Sequence, residues 1–189
     1  MTKGLQITLI LLGVVMTMCL LLVVGGCVGV RTVAKAVTRV VENDPVTVAE
    51  VSDSIATYTL PAEFGDGYVA QLAGYSLVSY AAEDAHTHIY LIQAPPSLKM
   101  DRSALEQQAN QTVGSTGWNE VTVIERQPYQ IRGEETVLVV SEGINHDGNR
   151  YRSASAVFAG NEGLALANVS GPAVNWDQEM VEVFMGSLR

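Results

Sequence analysis

The globular part of this chain has no cysteine. Of its 189 residues only Cys19 and Cys27 are cysteines, and both lie in or beside one apolar run near the start. Downstream of that run a disulfide, a thiolate nucleophile and a cysteine-ligated zinc are therefore excluded. The compartment stays open, since a cysteine-free domain suits either side of a bacterial membrane. Charge is missing from residues 4–30, a stretch of 27 residues without Asp, Glu, Lys, Arg or His. Positive charge is scarce beyond it: from Glu42 onward 7 bases stand against 20 acids, a net of −13. Such a surface repels phosphate backbones and excludes a nucleic-acid partner. Signatures of catalysis are missing too. There is no Gly-x-Ser-x-Gly, no phosphate-binding glycine pattern and no triad-like spacing of Ser, His and Asp. Internal repeats and low-complexity segments are also absent.

What is present begins with the uncharged run. As a helix rising about 1.5 Å per residue it would reach roughly 40 Å, enough to cross a bilayer core of about 30 Å with tilt. A cleaved secretory signal has an apolar core of only about 7–15 residues, so the run reads as a retained single-pass span over residues 5–30. Val24-Gly25-Gly26-Cys27 resembles a lipobox, which makes lipid attachment at Cys27 the alternative. Lys3 precedes the span and Arg31, Lys35 and Arg39 follow it. Taken alone, that asymmetry points the rest of the chain into the cytoplasm. The chain thus divides into an anchor with a basic flank (1–41), a linker with a short helix (42–56) and a globular domain (57–189).

Within the second and third parts, local signals predict a definite order. Asp44 and Pro45 can cap and start a short helix with Val48, Val51 and Ile55 on one face. Residues 55–60 read as a strand stopped by Pro61, and the Gly- and Asp-rich stretch 61–67 as a loop. Residues 75–80 and 86–93 read as paired strands, ended by Pro95-Pro96. Ser103 and Glu106 form a capping box for a helix running to 114, and Gly114-Ser115-Thr116-Gly117 follows as a loop. Alternation marks 120–125 as a strand. Residues 136–140 and 150–158 read as a hairpin around Asp147-Gly148, a dipeptide suited to a type I′ turn. Arg132-Gly133-Glu134-Glu135 and Glu142-Gly143 read as turns flanking strands, and Gly160-Asn161-Glu162-Gly163 as the turn into a last strand, 164–169. A final helix is capped by Asn175, with Trp176, Met180, Val183, Phe184 and Leu188 as its apolar stripe. The sum is an α+β domain, a mainly antiparallel sheet flanked by helices.

That order, together with the Leu60-Pro61 lead-in, the mid-chain helix, the closing meander and the terminal pattern Trp-Asp-x-Glu-x-Val-x-x-Phe-x-x-Ser-Leu over 176–188, resembles the Mog1/PsbP-like superfamily. The resemblance covers roughly 55–189. It implies an exported, non-enzymatic accessory or binding module, and so favours the extracytoplasmic side against the charge asymmetry. No functional residue carries over with it.

The sharpest chemical pattern is Asp84-x-His86-x-His88. On a strand, alternate residues share a face, so both imidazoles, with Asp84 as a third ligand, could hold zinc or copper. The same face continues to Tyr90 and Ile92, which suits a strand entering a core from an exposed end. His146 falls in a polar turn. Glu134, Glu135, Glu142 and Asp147 gather around one hairpin but lack the dense oxygen-ligand loop of a calcium site. Asn110 and Asn168 head glycosylation sequons, and Trp118 is a core residue before it is a partner anchor. The function expected is a bacterial single-pass membrane protein whose acidic domain is a non-catalytic binding or accessory module. Its partners are the lipid bilayer through 5–30 and an unspecified protein or small molecule, and no cofactor is expected. The alternatives are a metal-handling domain using His86 and His88, and an enzyme of unassigned class.

Overall fold

The computed structural model describes residues 39–84, 86–97, 101–102, 105, 118–145 and 147–189, with side chains from Glu42 onward except at 118 and 119. Among the described residues eight strands form one antiparallel sheet. They are β1 (Arg39–Glu42), β2 (Phe64–Leu72), β3 (Tyr75–Ala82), β4 (His88–Gln93), β5 (Trp118–Ile131), β6 (Glu134–Asn145), β7 (Arg150–Ala159) and β8 (Leu164–Pro172). Two helices wholly within the described residues accompany them, α1 (Pro45–Ile55) and α2 (Gln178–Ser187), the second entered through a 3-10 turn, Ala173–Asn175. The protein is thus of the α+β class. No helix among the described residues is long and apolar enough to cross a membrane. The span expected over 5–30, with Cys27, lies outside them.

The spatial order is β1-β2-β3-β4-β8-β7-β6-β5. Two meanders are therefore joined where β4 meets β8, Leu91 opposite Ala167. Two of the hairpins close with the tightest connection available. Ala73-Gly74 (φ 53 and 84) links β2 to β3, and Arg132-Gly133 (φ 57 and 78) links β5 to β6. Both central residues carry positive φ, as a type I′ turn demands, and its twist matches that of the strands. The turn expected to be type I′, at Asp147-Gly148, is different, since among its described residues only Gly148 has positive φ. Asn145 organises it instead. Its Oδ1 accepts from the N–H groups of Asp147 and Asn149 at 3.0 and 2.8 Å, and its carbonyl accepts from Gly148 N–H at 3.0 Å. An Asn side chain bonding its own downstream backbone is an alternative to a two-residue turn.

One face of the sheet is apolar. Val78, Ile89, Leu91, Leu138, Val140, Phe158, Ala167 and Val169 are all buried there, and α1 and α2 cover them with Val48, Val51, Ile55, Val181, Phe184 and Met185. The 42–56 segment expected as a linker is therefore part of the domain core, because the apolar stripe of α1 has this face to bury. The basic flank likewise gives way at Arg39 to β1, which pairs with β2.

Four further expectations are corrected. Residues 56–60 form no strand of the sheet. They run to the chain end, where Thr57 and Arg189 exchange backbone bonds of 2.9 and 2.7 Å. The strand begins instead at Phe64, inside the stretch expected as a loop, because Gly67 lets Tyr80 and Val48 close over it: a Cβ there would stand 2.6 Å from Tyr80 Cε1. Glu142-Gly143 is not a turn but the interior of β6. Finally, Asp177 rather than Asn175 caps the last helix, accepting from Met180 N–H at 3.0 Å. The buried face runs through Val181, Phe184 and Met185, all fully buried, while Val183 of the expected stripe is 60% exposed. The helix expected over 103–114 falls outside the described residues, apart from Arg102 and Leu105, which are helical.

Candidate functional site

A cleft of about 350 Å³ opens between α1, β2 and the segment after α1. Its shape follows from how α1 starts. Asp44 Oδ2 accepts from both the N–H and the Oγ1 of Thr47, each at 3.0 Å, and Pro45 supplies the fixed φ of the first turn. Four residues separate Val48 from Ser52, so the same face that buries Val48 carries Ser52 inward.

The floor of the cleft is a chain of three hydroxyls. Tyr80 OH lies 2.9 Å from Ser52 Oγ and 2.7 Å from Tyr58 OH. Ser52 and Tyr80 are buried and Tyr58 partly so. The Tyr58 ring is held edge-on by two others, Tyr80 at 6.2 Å and 71° and Phe184 at 5.9 Å and 78°. Burial pushes the Tyr58 hydroxyl far above the ordinary phenol range. It stays protonated at neutral pH and cannot act as a base. Val48, Ala49 and Ala56 line the apolar side, and Asp53 and Asp66, both exposed, stand as the only charged residues of the lining.

The Asp84, His86 and His88 pattern sits elsewhere, at the turn between β3 and β4, and the structure gives its parts separate jobs. Asp84 Oδ1 accepts from the N–H groups of His86 and Thr87 at 2.8 and 3.1 Å. The carboxylate therefore closes the turn, and these bonds keep its pKa low although burial opposes them. His86 is exposed. His88 enters the sheet and stacks on Tyr90, with ring centroids 5.8 Å apart and planes at 26°. Burial pushes its imidazole below the ordinary value, against the pull of Asp84. Among the described residues no group of three His, Cys, Asp or Glu side chains is placed to hold a metal.

His88 belongs to a feature that local sequence did not reveal. The second face of the sheet carries rows of aligned polar residues: His88 opposite Ser170, Ser170 opposite Ser153, and Ser153 opposite Ser141. The adjacent row runs Ser79, Tyr90, Asn168 and Ser155. Ser79, Ser141, Ser153, Ser155 and Asn168 are all buried. Burial also pushes the Tyr90 hydroxyl up to about 12. Asn168 Nδ2 donates to Ser153 Oγ at 2.6 Å, so the sequon nitrogen is engaged inside the fold and closed to a glycan.

Two of the four acids around the acidic hairpin, Glu134 and Glu142, are held by arginines. Glu142 grips the guanidinium of Arg152 and accepts from Arg150 at 3.3 Å, while Glu134 pairs with Arg102 at 3.3 Å. Arg152 in turn lies 5.8 Å from the Trp176 ring centre. These carboxylates are spent on arginines rather than left for calcium. Cys27, Asn110, Gly114 to Gly117 and the side chains of Trp118 and His146 lie outside the description.

The cleft itself was not foreseen. Ser52, Tyr58 and Tyr80 have no motif spacing, and only the amphipathic pattern of α1 could have flagged Ser52 as inward-facing. No family model matches the chain, and no curated protein matches it in sequence.

Proposed function

We propose that this chain is a single-pass membrane protein whose acidic α+β domain is a non-catalytic binding or accessory module of Mog1/PsbP-like type, held on the extracytoplasmic side. The observation that carries the binding half is the cleft beside α1. Its three hydroxyls bond to one another, the Tyr58 phenol is held protonated by burial, and its two carboxylates are solvated at the rim. This arrangement holds a ligand by shape and hydrogen bonds, and it pairs no nucleophile with a base. The 27-residue uncharged run supports the anchor. After β1 the described elements run helix, three strands, four strands, helix. In the alternative, a metal-handling role for His86 and His88, Asp84 already closes the turn through Oδ1, and among the described residues no three such side chains are grouped to hold a metal.

The test uses the full chain in its own membranes. An alkaline carbonate wash should leave it with the lipid, while a Leu11→Arg/Val15→Arg variant should be released. A photo-crosslinker at Ala49, on the cleft, should give a discrete adduct that one at the exposed Val174 does not. Release of the unaltered chain, or the same pattern from both positions, would overturn the reading.

A further inference from the structure

We infer that the cleft beside α1 takes a small organic cation, an aliphatic amine carried with its ammonium group toward the rim. The inference rests on the binding-module reading and names the ligand class. Four observations lead to it. First, the charged residues of the lining are Asp53 and Asp66 and no others, and none of the ion pairs among the described residues uses either carboxylate. Second, the floor is made of neutral hydroxyls. Three O–H groups share two bonds, so one proton and several lone pairs remain for a guest, and none of the three carries a positive charge that would oppose a cation. Third, Val48, Ala49 and Ala56 give an aliphatic wall against which a short methylene chain can lie. The volume of about 350 Å³ sits at the small end of ligand pockets. Fourth, the floor is rigid before a ligand arrives, because Tyr58 is wedged edge-on between Tyr80 and Phe184. A preorganised floor lowers the entropy lost on binding.

The opposite ligand class has one point in its favour, the amino-terminal end of α1, which opens at Pro45 beside the same cleft. That end is already closed. The Asp44 carboxylate takes the Thr47 amide and hydroxyl, and so adds a third negative charge where an anion would have to approach. The net charge of −13 from Glu42 onward concentrates cations around the whole domain and works in the same direction.

Three probes of equal chain length separate the classes: n-butylamine, n-butanol and n-butyrate, titrated into the full chain in detergent micelles with amide resonances as the readout. Butylamine should move the amides of Ser52, Asp53, Gly65 and Gly67, butanol should move them far less, and butyrate not at all. Asp53→Asn/Asp66→Asn, both at exposed positions that leave the fold intact, should weaken butylamine roughly tenfold. Glu162→Gln/Glu179→Gln removes the same charge from elsewhere on the surface and should leave the affinity within about twofold. Equal loss in both double variants, equal binding of butanol or butyrate, or unmoved cleft amides would each overturn the inference. A discrete Ala49 adduct in membranes together with any of those results would leave the binding module standing and remove only its cation.

Discussion

His88 shows how one side chain links pattern, packing and stability. Its imidazole lies in the sheet against Tyr90, and burial lowers its affinity for a proton although Asp84 partly restores it. The groups facing it are Asp84, His86 and Tyr90. Because the folded value lies below the ordinary imidazole value of 6.5, the unfolded chain takes up a proton that the folded chain refuses. The His88 contribution to stability is therefore level at about pH 7.5 and above and falls as pH drops through about 6.5, until the folded imidazole also protonates. Urea midpoints should decline between about pH 7.5 and pH 5, and a His88→Gln variant should decline less. An equal decline in the variant would remove His88 from that role. The Asp84 contribution has the opposite origin, a lowered carboxylate, and is lost only at more acid pH. At this scale the sequence revealed the Asp84-x-His86-x-His88 spacing and the shared strand face. It could not reveal that the carboxylate would serve the turn, since backbone amides compete for it without any sequence mark. Nor could it gather Ser52, Tyr58 and Tyr80, which meet only after α1 has folded onto β3.

Among elements, those built from local signals were legible and those built from distant ones were not. Asp44-Pro45 and the Val48, Val51 and Ile55 stripe specified α1, and the β3–β4 and β6–β7 hairpins stood out as apolar runs around polar turns. β2 was hidden, because Gly65, Asp66 and Gly67 carry the composition of a loop while their place is set by Tyr80 and Val48 across the chain. Residues 56–60 failed in the reverse way: their composition is strand-like, but their partner is the chain end at Arg189 rather than the sheet. The last helix allows a direct test of capping. Asp177→Ala should cost about 1 kcal/mol in chemical denaturation, whereas Asn175→Ala should change little, because only Asp177 accepts from a first-turn amide. A larger loss at Asn175 would return the start of α2 to the earlier position.

For the whole molecule, the α+β class followed from the count and order of periodic segments, but the joint between the two meanders did not. β4 pairs with β8 across more than 70 residues of chain, and such a pairing leaves no local trace. The same joint makes the apolar face continuous, and α2 closes one part of it. Phe184 is fully buried, packs in the main core and reaches Tyr58 edge-on. Phe184→Ala should therefore cost about 3–5 kcal/mol and loosen the wall of the cleft as well. Calorimetry measures the first effect and the Tyr58 ring resonances the second. A loss below about 1 kcal/mol would show that α2 is not integral to the core.

The short strand β1 carries a consequence for reach. It fixes Arg39 in the sheet opposite Gln71, and only eight residues, 31–38, separate it from the last residue of the uncharged run. Fully extended, eight residues span about 28 Å. With the run in a bilayer as proposed, the domain rides on a leash no longer than its own diameter. Its cleft then samples a thin layer above the lipid rather than the bulk, and whatever it meets there is met at a local concentration set by the tether.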